Sequence, residues 1–154
     1  MTRDTLTHAA ALSGLGLAAG LVGALAMSGS QKAEMAITGR KPSDTPAKAV
    51  EEVTGTDVQD PTAEQSLSTA GHLAFGTALG LGLAAMEKVP EPARTIAFFA
   101  AAWGAGTSLI TGLGLSDPPT KWDRTQLATD LGHHAVYAAS AATAFYGLRR
   151  LAKV

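Results

Sequence analysis

Charged residues are absent from four long stretches of the chain, and this segregation constrains the fold more than any other feature. All 25 acidic and basic side chains fall outside residues 9 to 29, 66 to 86, 95 to 116 and 131 to 148. A soluble helix needs a polar face, and none of these stretches has a charged one. As helices they reach roughly 27 to 33 Å, close to the thickness of a bilayer core. The sequence therefore predicts membrane-spanning helices.

The predicted fold is all-α, a polytopic membrane protein with four antiparallel transmembrane helices in one domain over residues 1 to 154. A soluble bundle rich in alanine and glycine is the alternative. The first stretch also has the small residues of a signal-peptide cleavage site at 24 to 26, but its weakly charged start and its length favour a retained helix. The helices are predicted at about residues 9 to 29, 64 to 87, 93 to 115 and 126 to 150.

The polar segment between the first two helices carries a short helix signal of its own. Thr45 is suited to cap a helix whose first position is Pro46, and Gly55 stands where a C-terminal cap belongs. We therefore predict an amphipathic helix over about residues 45 to 54, lying at the membrane surface.

Three further signals mark where the predicted helices begin and turn. "TAEQ" from Thr62 has the spacing of a capping box, and Asp123 precedes Gln126 by the same three residues. The stretch "KVPEPAR" over 88 to 94 predicts a tight hairpin that makes helices two and three antiparallel neighbours. Glu87 and Arg94 beside it are expected to be solvated.

Small residues recur at helical spacing on the predicted spans. In lipid, helices associate by close backbone approach, which glycine allows, and the motif GxxxG occurs in the first and second helices. The sequence thus predicts helix packing through one set of glycines: Gly16, Gly20, Gly23, Gly76, Gly80, Gly104 and Gly147.

Titratable groups occur at one end of two predicted helices. Helices two and four start from the same side, so the sequence allows a polar cluster of His72, Asp130, His133 and His134, with Tyr137 one turn further. Three interpretations stay open. The histidines are interfacial groups satisfied by water and headgroups, or a pH-responsive site, or ligands of a divalent metal with Asp130 as an orienting group.

Several classes of function receive no support from the sequence. The chain has no cysteine, which excludes thiolate chemistry and disulfides, and a net charge of -1 offers no basic patch for nucleic acid. No nucleophile motif, phosphate-binding loop or cofactor motif is present. We therefore expect a protein that is not an enzyme and that has no cofactor and no nucleic-acid partner.

Two segments, "TGRKPSDTPAKAVEEVTG" and "LGHHAVYAASAATAFYG", resemble the YagU-type family of small bacterial inner-membrane proteins of unknown function. The resemblance implies a multi-span protein with a Lys-Pro-Ser/Thr motif after the first helix and a Gly-His pair opening the last helix. It draws attention to a loop motif and to three positions of the last helix without giving them a role: Lys41, Pro42, Asp44, Gly132, His133 and Tyr137.

The functional hypothesis from the sequence is a non-enzymatic protein of the bacterial inner membrane, related to the envelope or to acid stress, with a pH-responsive histidine cluster. An accessory subunit of a larger membrane complex and a small transporter or channel are the alternatives. The expected partners are the lipid bilayer and either further copies of the chain or another membrane protein. Cations at the short segments favour cytoplasmic placement of both termini.

Overall fold

The protein is mainly helical in the computed structural model, which describes residues 3–154 and contains no strand within that range. The predicted all-α class is therefore confirmed. A short 3-10 helix, Pro119–Lys121, precedes the last α-helix. The α-helices are α1 Arg3–Thr38, α2 Thr45–Thr54, α3 Pro61–Leu79, α4 Leu81–Ala85, α5 Ala93–Gly112 and α6 Arg124–Ala152.

Within residues 3–154, three helical segments are long and apolar enough to cross a membrane: α1, α5, and the 25-residue segment Pro61–Ala85 that comprises α3 and α4. Helix α6, with 29 residues, is also long enough to cross a membrane, but its composition is more polar because it carries Asp130 and two histidines. The chain thus has the helices expected of a membrane protein.

The helix ends differ in detail from the predicted ones. α1 continues to Thr38, about two turns past its charge-free stretch. The residue that caps α2 is Asp44 rather than Thr45, and its side chain makes no capping hydrogen bond. α3 begins at Pro61, one residue before Thr62, because the Asp60 carboxylate accepts the Ala63 N–H at 2.7 Å. Asp123 caps α6 through Gln126 N–H at 2.9 Å, as its spacing predicts.

The longest helix, α1, is the element around which the others are arranged. It packs against α3, α4 and α6, while α5 packs on α6 and α4, and α2 lies mainly on α3. The pairing is antiparallel, since Gly23 of α1 meets Tyr137 and Ser30 meets His133 earlier in α6. We call the end with residues 86 to 92 and Val154 the hairpin end, and the opposite end the loop end.

Helices α3 and α5 are joined by a short hairpin but make few contacts along their lengths. This differs from the predicted antiparallel pair. The reason is that each of them packs along a different helix. Helix α3 lies against the glycines of α1, and Trp103 of α5 donates a hydrogen bond to Asp130 of α6. The two helices therefore separate towards the loop end.

The closest helix contact joins the two GxxxG motifs. A Cβ atom on Gly20 would stand 2.6 Å from the carbonyl oxygens of both Gly76 and Thr77, and one on Gly16 would stand 2.7 Å from the Gly80 oxygen. No side chain fits at these distances, so the backbones of α1 and α3 touch directly. This is the packing that small residues permit between helices in lipid.

The remaining glycines of the predicted packing set divide into two groups. A Cβ on Gly23 would lie 2.8 Å from the Tyr137 carbonyl oxygen, so this glycine lets α6 approach α1. A Cβ on Gly104 or Gly147 would meet no atom of the described chain within 4 Å. The close approach of helices that the predicted packing role requires is therefore not seen at these two positions.

At the hairpin end, Arg94 is buried rather than solvated. Its side chain is 6% exposed and pairs with Glu91 at 2.7 Å. The guanidinium groups of Arg94 and Arg149 both lie over the Phe145 ring, at 5.6 and 5.7 Å from its centre. Glu87 lies 3.8 Å from Arg149, so the hairpin is held by charge pairs and cation–π contacts.

Replacing Gly20 by alanine should weaken the α1–α3 crossing. The added methyl meets backbone oxygens that cannot rotate away, and overpacking of this kind costs about 1 to 3 kcal/mol. Gly14→Ala on the same helix is the matched control because a Cβ there meets open space. Thermal unfolding in detergent should show a lower midpoint for Gly20→Ala only, and equal midpoints for the two variants would contradict the crossing.

Candidate functional site

A cavity of about 1010 Å³ opens at the loop end, where α3 and α5 separate. We call it the main cavity. Its walls come from α1, α2, α3, α5 and α6 and from the loops that join them. All members of the predicted polar cluster line it: His72, Asp130, His133, His134 and Tyr137. The structure therefore brings to one cavity the residues that the sequence placed at a similar depth.

The main cavity changes from apolar to polar along its length. Its inner wall, in the middle of the helices, includes Ala24, Phe75 and Leu79. Moving outward, α1 contributes Glu34 and the following loop Arg40. Because each helix runs continuously between these depths, the polar groups gather at the loop end and the apolar ones lie at mid-helix level.

His133 stands between α6 and the outer part of α1. Its Nδ1 hydrogen bonds with the Ser30 hydroxyl at 2.6 Å, and its Nε2 lies 3.9 Å from Glu34 Oε2. That same carboxylate oxygen accepts from Arg40 Nη2 at 2.7 Å. The His133 side chain is 12% exposed, and its Nε2 is buried without a hydrogen-bond partner. The ring is thus held at one nitrogen and free at the other.

His134 and Asp130 form a second polar group on the wall formed by α6 and α5. His134 Nδ1 donates to the Asp130 carbonyl at 2.9 Å and lies 3.4 Å from a carboxylate oxygen of the same residue. Since a carbonyl oxygen only accepts, Nδ1 carries the proton. The Asp130 carboxylate also accepts from the Trp103 indole at 2.8 Å. The sequence analysis did not place Trp103 beside the predicted polar cluster, so it missed this bond.

His72 is the only member of the cluster on α3. It is half-buried, and its Nε2 atom is buried without a hydrogen-bond partner, like that of His133. Both residues line the same cavity from different helices, and in each the Nε2 atom is buried without a hydrogen-bond partner. A buried polar atom without a partner is costly, which marks these positions as candidates for binding a polar group.

Tyr137 lines the inner part of the main cavity. Its hydroxyl donates to the Gly76 carbonyl at 2.6 Å, and its ring packs against Phe98 with centres 5.5 Å apart. The residue is buried, so this bond joins α6 to α3 across the face of α1. Tyr137 therefore positions the cavity wall.

The predicted loop motif lies beside the cavity rather than in it. Asp44 precedes α2 and pairs with Lys48, whose hydrogen bond lowers the pKa of the Asp44 carboxyl. Lys41 is exposed, and its carbonyl accepts from Arg40. Pro42 lines a second, smaller pocket adjacent to the main cavity. The motif thus shapes the loop that carries Arg40.

Metal binding gains no support from the geometry. Among residues 3–154, no group of three or more histidine, aspartate or glutamate side chains is arranged to hold an ion. His134 Nδ1 carries a proton, and Asp130 is occupied by Trp103.

Sequence reasoning missed the residues that α1 and the loop after it contribute. Ser30, Glu34 and Arg40 lie beyond the predicted end of the first helix, so they were not placed near the histidines. The signal was present, because Gln31, Glu34 and Thr38 recur at helical spacing and all line the main cavity. Because α1 continues without a break to Thr38, its polar residues past the charge-free stretch extend along the wall of the main cavity.

Comparison with known proteins provides no relative from which to transfer a function. No family model, curated protein or solved structure matches the chain. The function is therefore argued from the geometry of the cavity and the membrane character of the helices.

The Tyr137 hydrogen bond should contribute measurably to stability. Tyr137→Phe removes the donor to the buried Gly76 carbonyl and should lower the free energy of unfolding by about 1 kcal/mol. Tyr146→Phe is the matched control, since Tyr146 is half exposed and its hydroxyl accepts a hydrogen bond from the exposed Arg150 side chain. Unfolding in detergent, followed by circular dichroism, measures both, and an equal loss in the two variants would contradict the assignment.

Proposed function

We propose that this chain is a non-enzymatic, four-span protein of the bacterial inner membrane whose main cavity responds to pH through His72, His133 and His134. The observation that carries the proposal is the convergence of these histidines, from α3 and α6, on one cavity, with two Nε2 atoms lacking partners. The resemblance to the YagU-type family and a role in the envelope or in acid stress belong to the same proposal.

The membrane placement treats α6 as the fourth span. Its polar residues Asp130, His133 and His134 line the cavity, so α6 can cross a bilayer without exposing them to lipid. On α1, Leu21 and Leu25 are exposed at mid-helix, where acyl chains would cover them. With four spans, α2 lies at the surface of one leaflet and both termini lie on the opposite side, proposed as cytoplasmic.

The pH response follows from the groups that face His133. Glu34 and Arg40 approach it from α1 and the following loop, and Asp130 and His134 from its own helix. A histidine with an ordinary pKa of about 6.5 changes charge within the physiological range. When protonated, His133 donates from both nitrogens and adds a second cation beside the carboxylate that Arg40 already occupies. Acidification thus changes the contact between α6 and the outer part of α1.

Trp103 offers an intrinsic probe of this response. Its indole donates to Asp130, which also contacts His134, so a new charge on that histidine alters the field at the indole. In a Trp122→Phe background, we expect the emission of Trp103 to change sigmoidally between about pH 8 and pH 5. Fluorescence titration of the detergent-purified protein measures it.

The controls for this titration separate the cavity histidines from the remaining one. His8→Gln should keep the transition, because His8 lies at the hairpin end beside Glu87. The combined substitution of His72, His133 and His134 by glutamine should abolish it. An unchanged transition in the triple variant, or a flat curve in the parent protein, would overturn the proposal.

An accessory subunit or a homo-oligomer is the second candidate, favoured by the open glycines on α5 and α6. Gly104 and Gly147 have space for a neighbouring helix, and no helix of the described chain fills it. The mass of the intact particle, purified from the native membrane in mild detergent, tests this alternative. A particle with an unrelated partner at fixed stoichiometry supports an accessory subunit, several copies of this chain support a homo-oligomer, and a single copy counts against both.

A further inference from the structure

A second pocket, of about 150 Å³, lies between the outer part of α1 and the start of α3. We call it the side pocket. Lys32 and Arg40 line it, and no carboxylate does. Within the described chain Lys32 makes no ion pair, so its charge is uncompensated. The remaining polar lining consists of hydroxyl, amide and imidazole side chains: Ser28, Gln31, Ser43, Gln65, Ser68, Thr69 and His72.

This lining has the chemistry of an anion site. Lys32 supplies a charge without an ion pair, and Arg40 adds a guanidinium that it shares with Glu34. The amides of Gln31 and Gln65 supply hydrogen-bond donors, and phosphate oxygens require this combination of charge and donors. The hydroxyls of the lining already donate within the protein. The volume accommodates a group of that size. His72 adds an imidazole ring to this lining.

The side pocket also lies at the depth of lipid headgroups in the proposed placement. Lys32 is three residues beyond the charge-free stretch 9 to 29, which puts it about 4.5 Å outside the apolar core along the helix. A lysine at that level attracts the anionic groups of a membrane surface.

The side pocket and the main cavity share part of their walls. Gln31, Arg40, Ser43, Pro46 and His72 line both. Along α3 the main cavity reaches Leu79, about 20 Å along the helix from Ser66, where the charge-free stretch begins. One leaflet of a bilayer core is about 15 Å thick, so an acyl chain fits within that length. The inner wall that meets such a chain is apolar.

We infer that the two cavities together bind one membrane lipid with an anionic phosphate headgroup. The phosphate lies in the side pocket against Lys32 and Arg40, and the tail lies in the main cavity. The headgroup points to the loop end and the tail to the middle of the membrane, which is the orientation of a lipid in its own leaflet. The gap between α3 and α5 gives the tail a path from the bilayer.

Hexadecyl phosphate is a suitable probe because it has both a phosphate and an acyl-length tail. Two control compounds carry one part each: hexadecanol has the tail without the phosphate, and inorganic phosphate has the phosphate without the tail. Native mass spectrometry of the full chain in a neutral detergent at pH 7.5 counts bound molecules and gives affinities. We expect one hexadecyl phosphate per chain, bound more tightly than either partial probe. Lys32→Gln should weaken it about fivefold. Lys41→Gln, which changes the net charge equally at a position outside both cavities, should leave it unchanged.

Three results would overturn the inference: equal affinities in the Lys32 and Lys41 variants, equal binding of hexadecanol and hexadecyl phosphate, or inorganic phosphate bound as tightly as its hexadecyl ester. The last would mean a site for a free anion. Lys32 is exposed, so its substitution leaves the helix packing intact, and unfolding midpoints check this. The inference rests on the proposed membrane placement but not on the pH response, since binding at fixed pH and the Trp103 titration fail independently.

Discussion

The direct contact between the backbones of α1 and α3 is the interaction on which the rest of the structure depends. At Gly16 and Gly20 the two helices approach so closely that no side chain fits between them and the carbonyl oxygens of the partner helix. Apolar side chains gain little by leaving lipid for each other, so close packing has to supply the association. Gly23 extends the same surface towards α6, which makes α1 the common neighbour of both helices.

The cavity is a consequence of that arrangement. Helix α3 packs along α1, and helix α5 packs along α6. The two helices joined by the hairpin therefore separate towards the loop end. The space between them is bordered by α6 residues that a lipid-facing surface would not tolerate, namely Asp130 and the two adjacent histidines. The charged pairs around Phe145 hold the other end closed, so the opening is one-sided.

Much of the helical pattern follows from the sequence, because missing charges and helix caps are local signals. The class of the fold, the cap at Asp123 and the GxxxG contacts belong to this part. The cavity needed tertiary information. That Trp103 would reach Asp130, or that α1 would carry Glu34 to His133, depends on which helices are neighbours, and neither spacing nor composition encodes that. Gly104 has the spacing of a packing residue, but a Cβ there would meet no atom within 4 Å in the described chain. Its sequence position alone could not show whether another helix faces it.

The number of times the chain crosses the membrane tests the account most directly, because α6 has to span for its histidines to face an enclosed cavity. The chain has no native cysteine, so single cysteines at the exposed positions 52, 88, 121 and 153 can be labelled from one side of the membrane with an impermeant reagent. With four spans, we expect positions 52 and 121 to react from one side and positions 88 and 153 from the other. Labelling of positions 121 and 153 from the same side would contradict it.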